Sequence, residues 1–324
     1  MVRLASLLSL GLLACSPPAG RDAARPPPRA PATPAASVAP SPSIAPPTSA
    51  SAAPPPVPVA ELPSAPLLPT GFVAVPEPNL APDASRVACG AFSIENAPSA
   101  SPNNYEPFVR AYDKAGKKIY EAHGRTYELD AGISVRQSLV ADVCGDLTGD
   151  GIPELILTER TMGAHCCYTH YIVSLTTPAK RLLMWEKGDS GDGMLPIRFS
   201  KSGPWQVISY ARIYPPFDPE KGEPTMVYAG VPGYPIVFDY VGGEYKPRTF
   251  SFREGLRSMR QEDRAACAAL PDCEPSPFYE WGLALIIGDW ETEKAKLIPD
   301  AEEREPFERR AKEFTAALRR ALGP

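Results

Sequence analysis

A proline-rich segment sets the strongest limit on what this chain can fold into. Between Ser16 and Thr70 about a third of the residues are proline, and most of the others are alanine or serine. Such a segment lacks backbone donors and large apolar side chains, so it cannot form a packed core. We expect a disordered, extended stalk over residues 16–70, with up to about 3.1 Å per residue. Folding is then confined to the roughly 250 residues that follow.

The residues before the stalk, MVRLASLLSLGLLAC, have the pattern of a secretory signal. The apolar run from Leu4 to Leu13 is too short to span a bilayer. Its end resembles a lipobox, the site at which a bacterial signal peptidase cuts before a lipid-modified cysteine. The resemblance implies a signal peptide over 1–15 and a lipid anchor on Cys15 that attaches the chain to a membrane. An ordinary signal peptide with a stray cysteine is the alternative.

The residue after the lipobox bears on the location of the protein. Ser16 follows Cys15 where aspartate would favour retention in the inner membrane. The lipobox resemblance therefore implies the bacterial outer membrane or the cell surface, with the periplasmic side as an alternative.

Residues 71–247 predict a mainly β domain. Their spacing is typical of antiparallel meanders, with turns expected at 114–116 and at 242–243. Segments 137–187 and 195–247 look like degenerate copies of one unit. The predicted strands are short, rich in β-branched and aromatic residues, and bounded by Gly, Pro, Asn or Asp. They are SRVACGAFSI, YEPFVRAYD, KKIYEA, SLVADVC, PELILTE, YTHYIVSL, KRLLMWE, WQVISYAR and YPIVFDYV.

Residues 248–324 predict a C-terminal helical region. REGLRSMRQEDRAACAAL and EREPFERRAKEFTAALRRAL both have helical character. In the second, Phe307, Ala311, Phe314 and Leu318 fall on one face at spacings of four and three. We expect this face to pack on the β domain, and a partner-binding helix is the alternative. FYEWGLALIIGDW, between the two, is apolar enough to be buried, but its pattern fits a helix or a strand.

The stretch DLTGDGIPELIL, residues 146–157, carries the pattern of a calcium loop. Oxygen-bearing groups fall at its positions 1, 3, 5, 7 and 9, which are the side chains of Asp146, Thr148 and Asp150, the backbone carbonyl of Ile152, and the side chain of Glu154. A hard cation takes six to eight oxygens in such a sequence order. An EF-hand would need flanking helices and a glutamate at position 12, where Leu157 stands, so that class is excluded. A Gly-Asp turn without an ion is the alternative.

The wider segment SLVADVCGDLTGDGIPELILTE is similar to FG-GAP or VCBS-type repeats, the calcium-loop blades of integrin-type β-propellers and many bacterial surface proteins. The resemblance implies a propeller-blade-like β fold and calcium held by the five groups named above. Thr148 stands where these repeats usually have Asp or Asn, and Glu154 where they have Asp, so the site should be weakened. Only one full repeat is visible, over about 45 residues, whereas a propeller needs about four or more blades.

The cysteines predict disulfides. Six remain besides Cys15, an even number that is typical of an exported domain. Cys267 and Cys273 flank ALPD and can close a small loop. The strand after the calcium loop puts Cys144 and the Cys166–Cys167 pair at opposite ends of a hairpin, roughly 20 Å apart, which no disulfide can bridge. Cys144 is therefore expected to pair with Cys89 on another strand.

The stretch GAHCCYTHY leaves three alternatives open. Cys166 and Cys167 can form a vicinal disulfide, they can form separate bridges to distant cysteines, or they can join His165 and His170 in a soft-metal or redox site. The stretch stands where an FG-GAP blade has its Gly-Ala-Pro turn. It also resembles a Gly-Gly-Ala-His-Cys-Cys signature of uncharacterised bacterial proteins that carry the same loop.

Several function classes are disfavoured by the rest of the sequence. The net charge of −5 is mild and no basic stripe alternates with aromatic residues, so no nucleic-acid partner is expected. No nucleophile elbow, phosphate loop or HExxH motif is present. We expect a lipid-anchored envelope or surface protein whose calcium-stabilised β domain binds a carbohydrate, an envelope component or a protein. A metal- or thiol-dependent redox protein that uses His165, Cys166 and Cys167 is the alternative.

Overall fold

The computed structural model describes residues 68–76, 86–97, 107–129, 133–160, 168–187, 193–221, 223–224, 231–270, 273 and 275–324. The predicted signal peptide, the predicted lipidation site Cys15 and nearly all of the predicted stalk lie outside these residues.

Fifteen strands are present in the described residues, and they agree with most of the predicted runs. The run SRVACGAFSI is an exception, since it forms two strands separated by a tight turn at Gly90–Ala91. The strands are β1 (Phe72–Ala74), β2 (Val87–Cys89), β3 (Phe92–Ala97), β4 (Phe108–Tyr112), β5 (Lys118–Ala122), β6 (Thr126–Leu129), β7 (Ile133–Arg136), β8 (Ser138–Gly145), β9 (Glu154–Arg160), β10 (Tyr168–Ser174), β11 (Lys180–Lys187), β12 (Leu195–Ile197), β13 (Gln206–Arg212), β14 (Gly233–Val241) and β15 (Glu244–Pro247).

Three four-stranded antiparallel meanders organise these strands: β2–β5, β8–β11 and β12–β15. Strand β1 pairs with β8 at the edge of the middle meander, and β6 and β7 form a separate hairpin. The open, antiparallel sheets confirm the mainly β prediction. The second and third meanders coincide with the two segments predicted to be copies of one unit. Within the described part of the chain the meanders number three, below the four or more blades of a closed propeller.

The middle meander is buried on both faces. On one face, Leu139, Leu155 and Val173 pack with the first meander, in a cluster that includes Ile94 and Val109. On the other face, the cluster contains side chains of the middle and third meanders, among them Val143, Ile156, Ile172, Val207 and Phe238. Strands covered on both faces carry nearly continuous apolar runs rather than alternating ones. This double burial explains sequences such as ELIL in β9.

The side chain of Asn96 joins the first meander to the middle one. Its amide nitrogen donates to the Ala141 carbonyl at 2.9 Å, and its amide oxygen accepts the Ala141 N–H at 2.7 Å. The same nitrogen donates to the Pro76 carbonyl at 3.0 Å. Ala141 lies beside an irregularity in the β8–β9 register, between Ala141 and Val143. Asn96 therefore bonds both backbone groups of a residue at a break in the regular pairing.

Four helices follow the sheets: α1 (Arg253–Ala268), α2 (Pro277–Ile287), α3 (Trp290–Leu297) and α4 (Ala301–Leu322). Short 3-10 turns occupy Pro219–Lys221 and Thr249–Phe252. The Asp300 carboxylate caps α4 by accepting the N–H groups of Glu302 and Glu303. In the described residues no helix is both long and apolar enough to cross a membrane.

The apolar face of α4 packs inside the molecule, as predicted. Phe307, Phe314 and Leu318 are buried in the cluster that also covers the third meander. The Thr249 hydroxyl donates to the Leu322 carbonyl at 2.8 Å, which ties the end of α4 to the segment after β15. The partner-binding alternative for this face is therefore wrong, because the face has its partner within the chain.

A buried glutamate holds the connection between β13 and β14 on the polar side of α4. Glu223 Oε1 lies 2.9 Å from Arg309 Nη2, and Glu223 Oε2 lies 3.0 Å from Arg310 Nε. The Asp218 N–H also donates to Glu223 at 2.7 Å. Burial alone would raise the pKa of Glu223, but the hydrogen bonds from Arg310 and Asp218 outweigh it and lower the pKa below its ordinary value.

Candidate functional site

The predicted calcium loop connects β8 to β9. Gly149 and Gly151 have φ angles of +80° and +85°. Side chains rarely adopt this left-handed conformation, whereas glycine does so freely. The two glycines between the acidic residues are therefore required by the path of the backbone.

Two carboxylates of the loop accept hydrogen bonds from its own backbone. Asp146 Oδ1 accepts the Gly149 N–H at 2.7 Å, and Asp146 Oδ2 accepts the Gly151 N–H at 3.0 Å. Asp150 Oδ1 accepts the Ile152 N–H at 2.8 Å. Each oxygen of a carboxylate can accept more than one bond. These contacts shape the turn and leave acceptor capacity on both side chains.

Glu154 differs from the two aspartates because it is fully buried. Its Oε2 accepts the N–H groups of Leu147 at 2.8 Å and Thr148 at 3.2 Å. Its Oε1 is buried and accepts no hydrogen bond of normal geometry, and the Thr148 hydroxyl is buried without a partner as well. Burial raises the pKa of Glu154 to about 7, although the N–H of Leu147 and the hydroxyl of Ser174 act in the opposite direction.

All five predicted ligands of the loop would present oxygen atoms. Two of the five predicted ligands, Thr148 and Glu154, have buried oxygens that the protein leaves unsatisfied, which is costly unless another group binds there. Among the described residues no three His, Cys, Asp or Glu side chains converge as a metal group. Asp146, Asp150 and Glu154, the three carboxylates of the predicted set, are therefore not gathered as such a group in this structure, and calcium at the loop stays a prediction.

The framework around the loop is anchored on two sides. On one side, the Cys89–Cys144 disulfide joins β2 to the end of β8, with a Cα–Cα distance of 6.1 Å. On the other side, the Leu147 carbonyl accepts the Trp205 N–H at 2.7 Å. Phe72 meets the Trp205 ring edge-on at 4.9 Å. The loop thus contacts both neighbouring meanders and the segment that contains β1.

The disulfide predictions for the four described cysteines are confirmed. Cys89 pairs with Cys144, and Cys267 pairs with Cys273. Arg160 and Tyr168, which flank the next connection, pair at the end of the sheet opposite Cys144. The described strands of this hairpin therefore run as the prediction of the Cys89–Cys144 pairing assumed, while Cys166 and Cys167 themselves lie outside the described residues.

The candidate redox residues are only partly described. His165, Cys166 and Cys167 lie outside the described residues, so the three alternatives for them stay predictions. His170 lies in β10 and is fully buried. Its Nδ1 is 3.0 Å from the Thr158 hydroxyl, which in turn donates to Asp142. His170 is thus part of a polar chain that runs across β10, β9 and β8.

The buried carboxylate of Glu159 was not predicted from the sequence. Glu159, which is 1% exposed, accepts hydrogen bonds from Arg125 Nε and from the Tyr171 hydroxyl, both at 2.7 Å. Arg125 Nη2 also donates to the Thr169 hydroxyl at 2.6 Å. The signal in the sequence was a charged residue, Glu159, within an apolar β run. A carboxylate at such a position is expected to be buried, and a buried carboxylate is usually paired. This network joins the segment before β6 to β9 and β10.

The chain was also compared with known proteins. No protein-family model, no curated protein and no solved structure matches the chain significantly.

Proposed function

We propose that this chain is a lipid-anchored protein of a bacterial envelope that presents a calcium-stabilised β domain for binding a carbohydrate, an envelope component or a protein. The observation that carries the proposal is the Glu154 carboxylate, which is fully buried beside an Asp-rich turn and whose Oε1 accepts no hydrogen bond of normal geometry. Burying an unpaired carboxylate is costly unless it is neutralised or bound to a cation. The resemblance of the segment to FG-GAP or VCBS-type repeats supports calcium as that cation.

In this proposal calcium completes the loop between β8 and β9. The side chains of Thr148 and Glu154 would supply their unsatisfied oxygens, and the Ile152 carbonyl would supply a third. Asp146 and Asp150 would add their remaining acceptor capacity while they keep the backbone bonds that shape the turn. Oxygen ligands of this kind, completed by water, are what calcium prefers. The cation would hold together a loop that contacts two meanders, and so would stabilise the domain as a whole.

A binding role agrees with the construction of the domain. The described polar clusters are ion pairs and buried hydrogen bonds within the protein, such as Glu223 with Arg310 and Glu159 with Arg125. Long connections between sheets on a rigid scaffold are common binding surfaces. A proline-rich stalk behind a lipid anchor would place such surfaces away from the membrane.

The calcium site is tested by Asp150→Ala. An ion that binds only the folded state stabilises it by about 2.7 kcal/mol at a hundredfold excess over Kd. We expect the parent, after chelator treatment, to gain that much stability on addition of calcium, and Asp150→Ala to lose nearly all of the gain. The measurement is the midpoint of thermal unfolding with and without calcium, with magnesium as the comparison cation.

Asp113→Ala is the matched control. The Asp113 carboxylate accepts two backbone N–H groups, from Ala115 and Lys117, in a glycine-containing turn outside the proposed site. Both variants should lose some stability in chelator, but Asp113→Ala should keep the full calcium gain. A parent protein that shows no calcium-dependent shift would refute the calcium part of the proposal.

The lipid anchor is tested by Cys15→Ser. Serine cannot form the thioether that carries the lipid, and even one acyl chain alone gives only marginal membrane binding. We expect the variant to leave the detergent phase in a phase-partition assay, or to accumulate as an uncleaved precursor. Metabolic labelling with a fatty acid should mark the parent and not the variant. A variant that partitions like the parent would contradict the anchor.

A further inference from the structure

The Cys89–Cys144 disulfide lies at the entrance of the proposed calcium loop. Cys144 is two residues before Asp146, and Cys89 ends β2 of the neighbouring meander. Both cysteines are buried, at 4% and 0% exposure. The bridge fixes the chain position just before the first proposed ligand.

The exit of the loop is held by the same neighbour. The turn after Cys89 begins with Gly90, and a methyl group added at Gly90 would lie 2.9 Å from Pro153 Cγ. Pro153 directly precedes Glu154, the buried carboxylate. The Pro153 carbonyl also accepts the Leu175 N–H at 3.1 Å. The end of β2 is therefore bonded covalently to the chain just before the loop, and the turn that follows β2 packs closely against the other end of the loop.

We propose that the redox state of the Cys89–Cys144 bridge sets the cation affinity of the loop, so that cation binding and reduction of this bridge oppose each other. This inference rests on the calcium site proposed above. With the bridge intact, the two ends of the loop are held at a fixed separation and the cost of ordering the ligands is already met before the cation arrives. With the bridge reduced, the turn after β2 is free to separate from Pro153, and the cation must order the loop itself.

The coupling must act in both directions. If the bridge strengthens cation binding by some factor, the cation disfavours reduction of the bridge by the same factor. Reduction by a dithiol transfers two electrons to the sulfur pair, breaks the S–S bond, and leaves two protonated thiols, while the dithiol closes into its own disulfide. Since both sulfurs are buried, this attack requires the loop region to open. A bound cation keeps the region closed.

The chain contains its own control bridge. Cys267, in the last turn of α1, and Cys273 form a bridge of sequence separation 6 in the helical part of the protein. The Cys267–Cys273 bridge has no contact with the residues of the calcium loop among its described hydrogen bonds. The coupling should be specific to Cys89–Cys144.

The first experiment compares calcium affinity among three proteins. Titration calorimetry is performed on the parent, on Cys89→Ala/Cys144→Ala and on Cys267→Ala/Cys273→Ala. We expect a calcium Kd about 5- to 150-fold weaker for the first double variant, the range typical of coupled sites, and an unchanged Kd for the second. A parent that binds calcium with a Kd equal to that of Cys89→Ala/Cys144→Ala would overturn the coupling and leave the calcium proposal standing.

The second experiment avoids mutation, so that a misfolded variant cannot decide the outcome. The unmodified protein is treated with dithiothreitol with and without calcium, and free thiols are alkylated and assigned by peptide mass. Calcium should slow the exposure of Cys89 and Cys144 and leave that of Cys267 and Cys273 unchanged. Equal rates for Cys89 in a protein that demonstrably binds calcium would refute the coupling. A protein that binds no calcium at all would instead refute the site on which it rests.

Discussion

Replacing Trp281 with alanine is expected to lower the free energy of unfolding by about 3–5 kcal/mol. Trp281 is fully buried in α2. Its ring stacks on Phe314 of α4 at 4.6 Å and meets Phe307 at 5.0 Å and Phe217 at 5.4 Å. Three separate segments of the chain therefore converge on one side chain. Alanine would leave a cavity that these surrounding rings can fill only in part.

Chemical denaturation of the parent and the variant measures this loss. Leu270→Ala is the control, since Leu270 is 53% exposed and its removal should change stability by less than about 0.5 kcal/mol. The calcium response should survive in Trp281→Ala at temperatures where the variant is folded, because the rings that Trp281 contacts, those of Phe217, Phe307 and Phe314, lie outside the loop. A loss below about 1 kcal/mol would show that α2 is not the centre of the core.

The environment of Trp281 also explains why the sequence left α2 undecided between helix and strand. FYEWGLALIIGDW is apolar on every side, so it has no polar face to reveal its period. The structure forms a helix here because α2 is surrounded: Gly282 lies against Tyr234, where a methyl group would come within 2.1 Å of Tyr234 Cε1. Tyr234 and Gly282 are 48 positions apart in the sequence, so a local pattern of residues cannot predict their contact.

The β part was more accessible to prediction. Turns at Lys114–Gly116 and Gly242–Gly243 were identified from glycines, and Gly116, Gly242 and Gly243 do have positive φ angles. The split of SRVACGAFSI at Gly90 was missed because Ala91 and the flanking residues read as one β run. The short strand β12 also escaped, since its three residues contain a proline and too few β-branched residues for a strand signal.

The sequence predicted which oxygen-bearing residues form the candidate site, but it did not predict that their burial differs. Position in the loop singled out Asp146, Asp150 and Glu154 alike. In the structure the aspartates shape the turn through backbone N–H groups, whereas Glu154 lies at the start of a strand that is covered on both faces. Burial of a carboxylate is a tertiary property, because it depends on which sheets stack against the strand. It gives Glu154 a pH dependence that the sequence does not reveal.

In the presence of chelator, Glu154 is expected to contribute a loss of stability of about 3 kcal/mol as the pH rises from about 4.5 to above 7. Burial raises the pKa of Glu154 from 4.5 to about 7 in the folded state. Between these values the folded state holds a proton that the unfolded state has lost, so stability declines with rising pH. Below pH 4.5 Glu154 is protonated in both the folded and the unfolded state, and above about pH 7 it is ionised in both. Outside this window the contribution of Glu154 to stability therefore does not change with pH. A shift of this size corresponds to about 3 kcal/mol.

Glu154→Gln isolates this contribution, because glutamine resembles the protonated acid and does not titrate. In chelator at pH 8 the variant should be more stable than the parent by up to about 3 kcal/mol, and the difference should vanish near pH 4.5. With calcium at pH 8 the order should reverse, since the ionised carboxylate is the proposed ligand and the amide lacks its charge. Denaturant titrations of the parent and the variant at pH 4.5 and pH 8, each in chelator and in calcium, measure the free energies of unfolding.

Glu223→Gln is the control of opposite sign. Glu223 is also buried, but Arg310 and the Asp218 N–H lower its pKa, so its ionised form stabilises the folded state and that stabilisation is lost as the pH falls. Glu223→Gln should therefore destabilise the protein at pH 8, with or without calcium. If Glu154→Gln behaved in the same way in chelator, the Glu154 carboxylate would be ionised and satisfied by the protein alone, and the argument that it awaits a cation would fail.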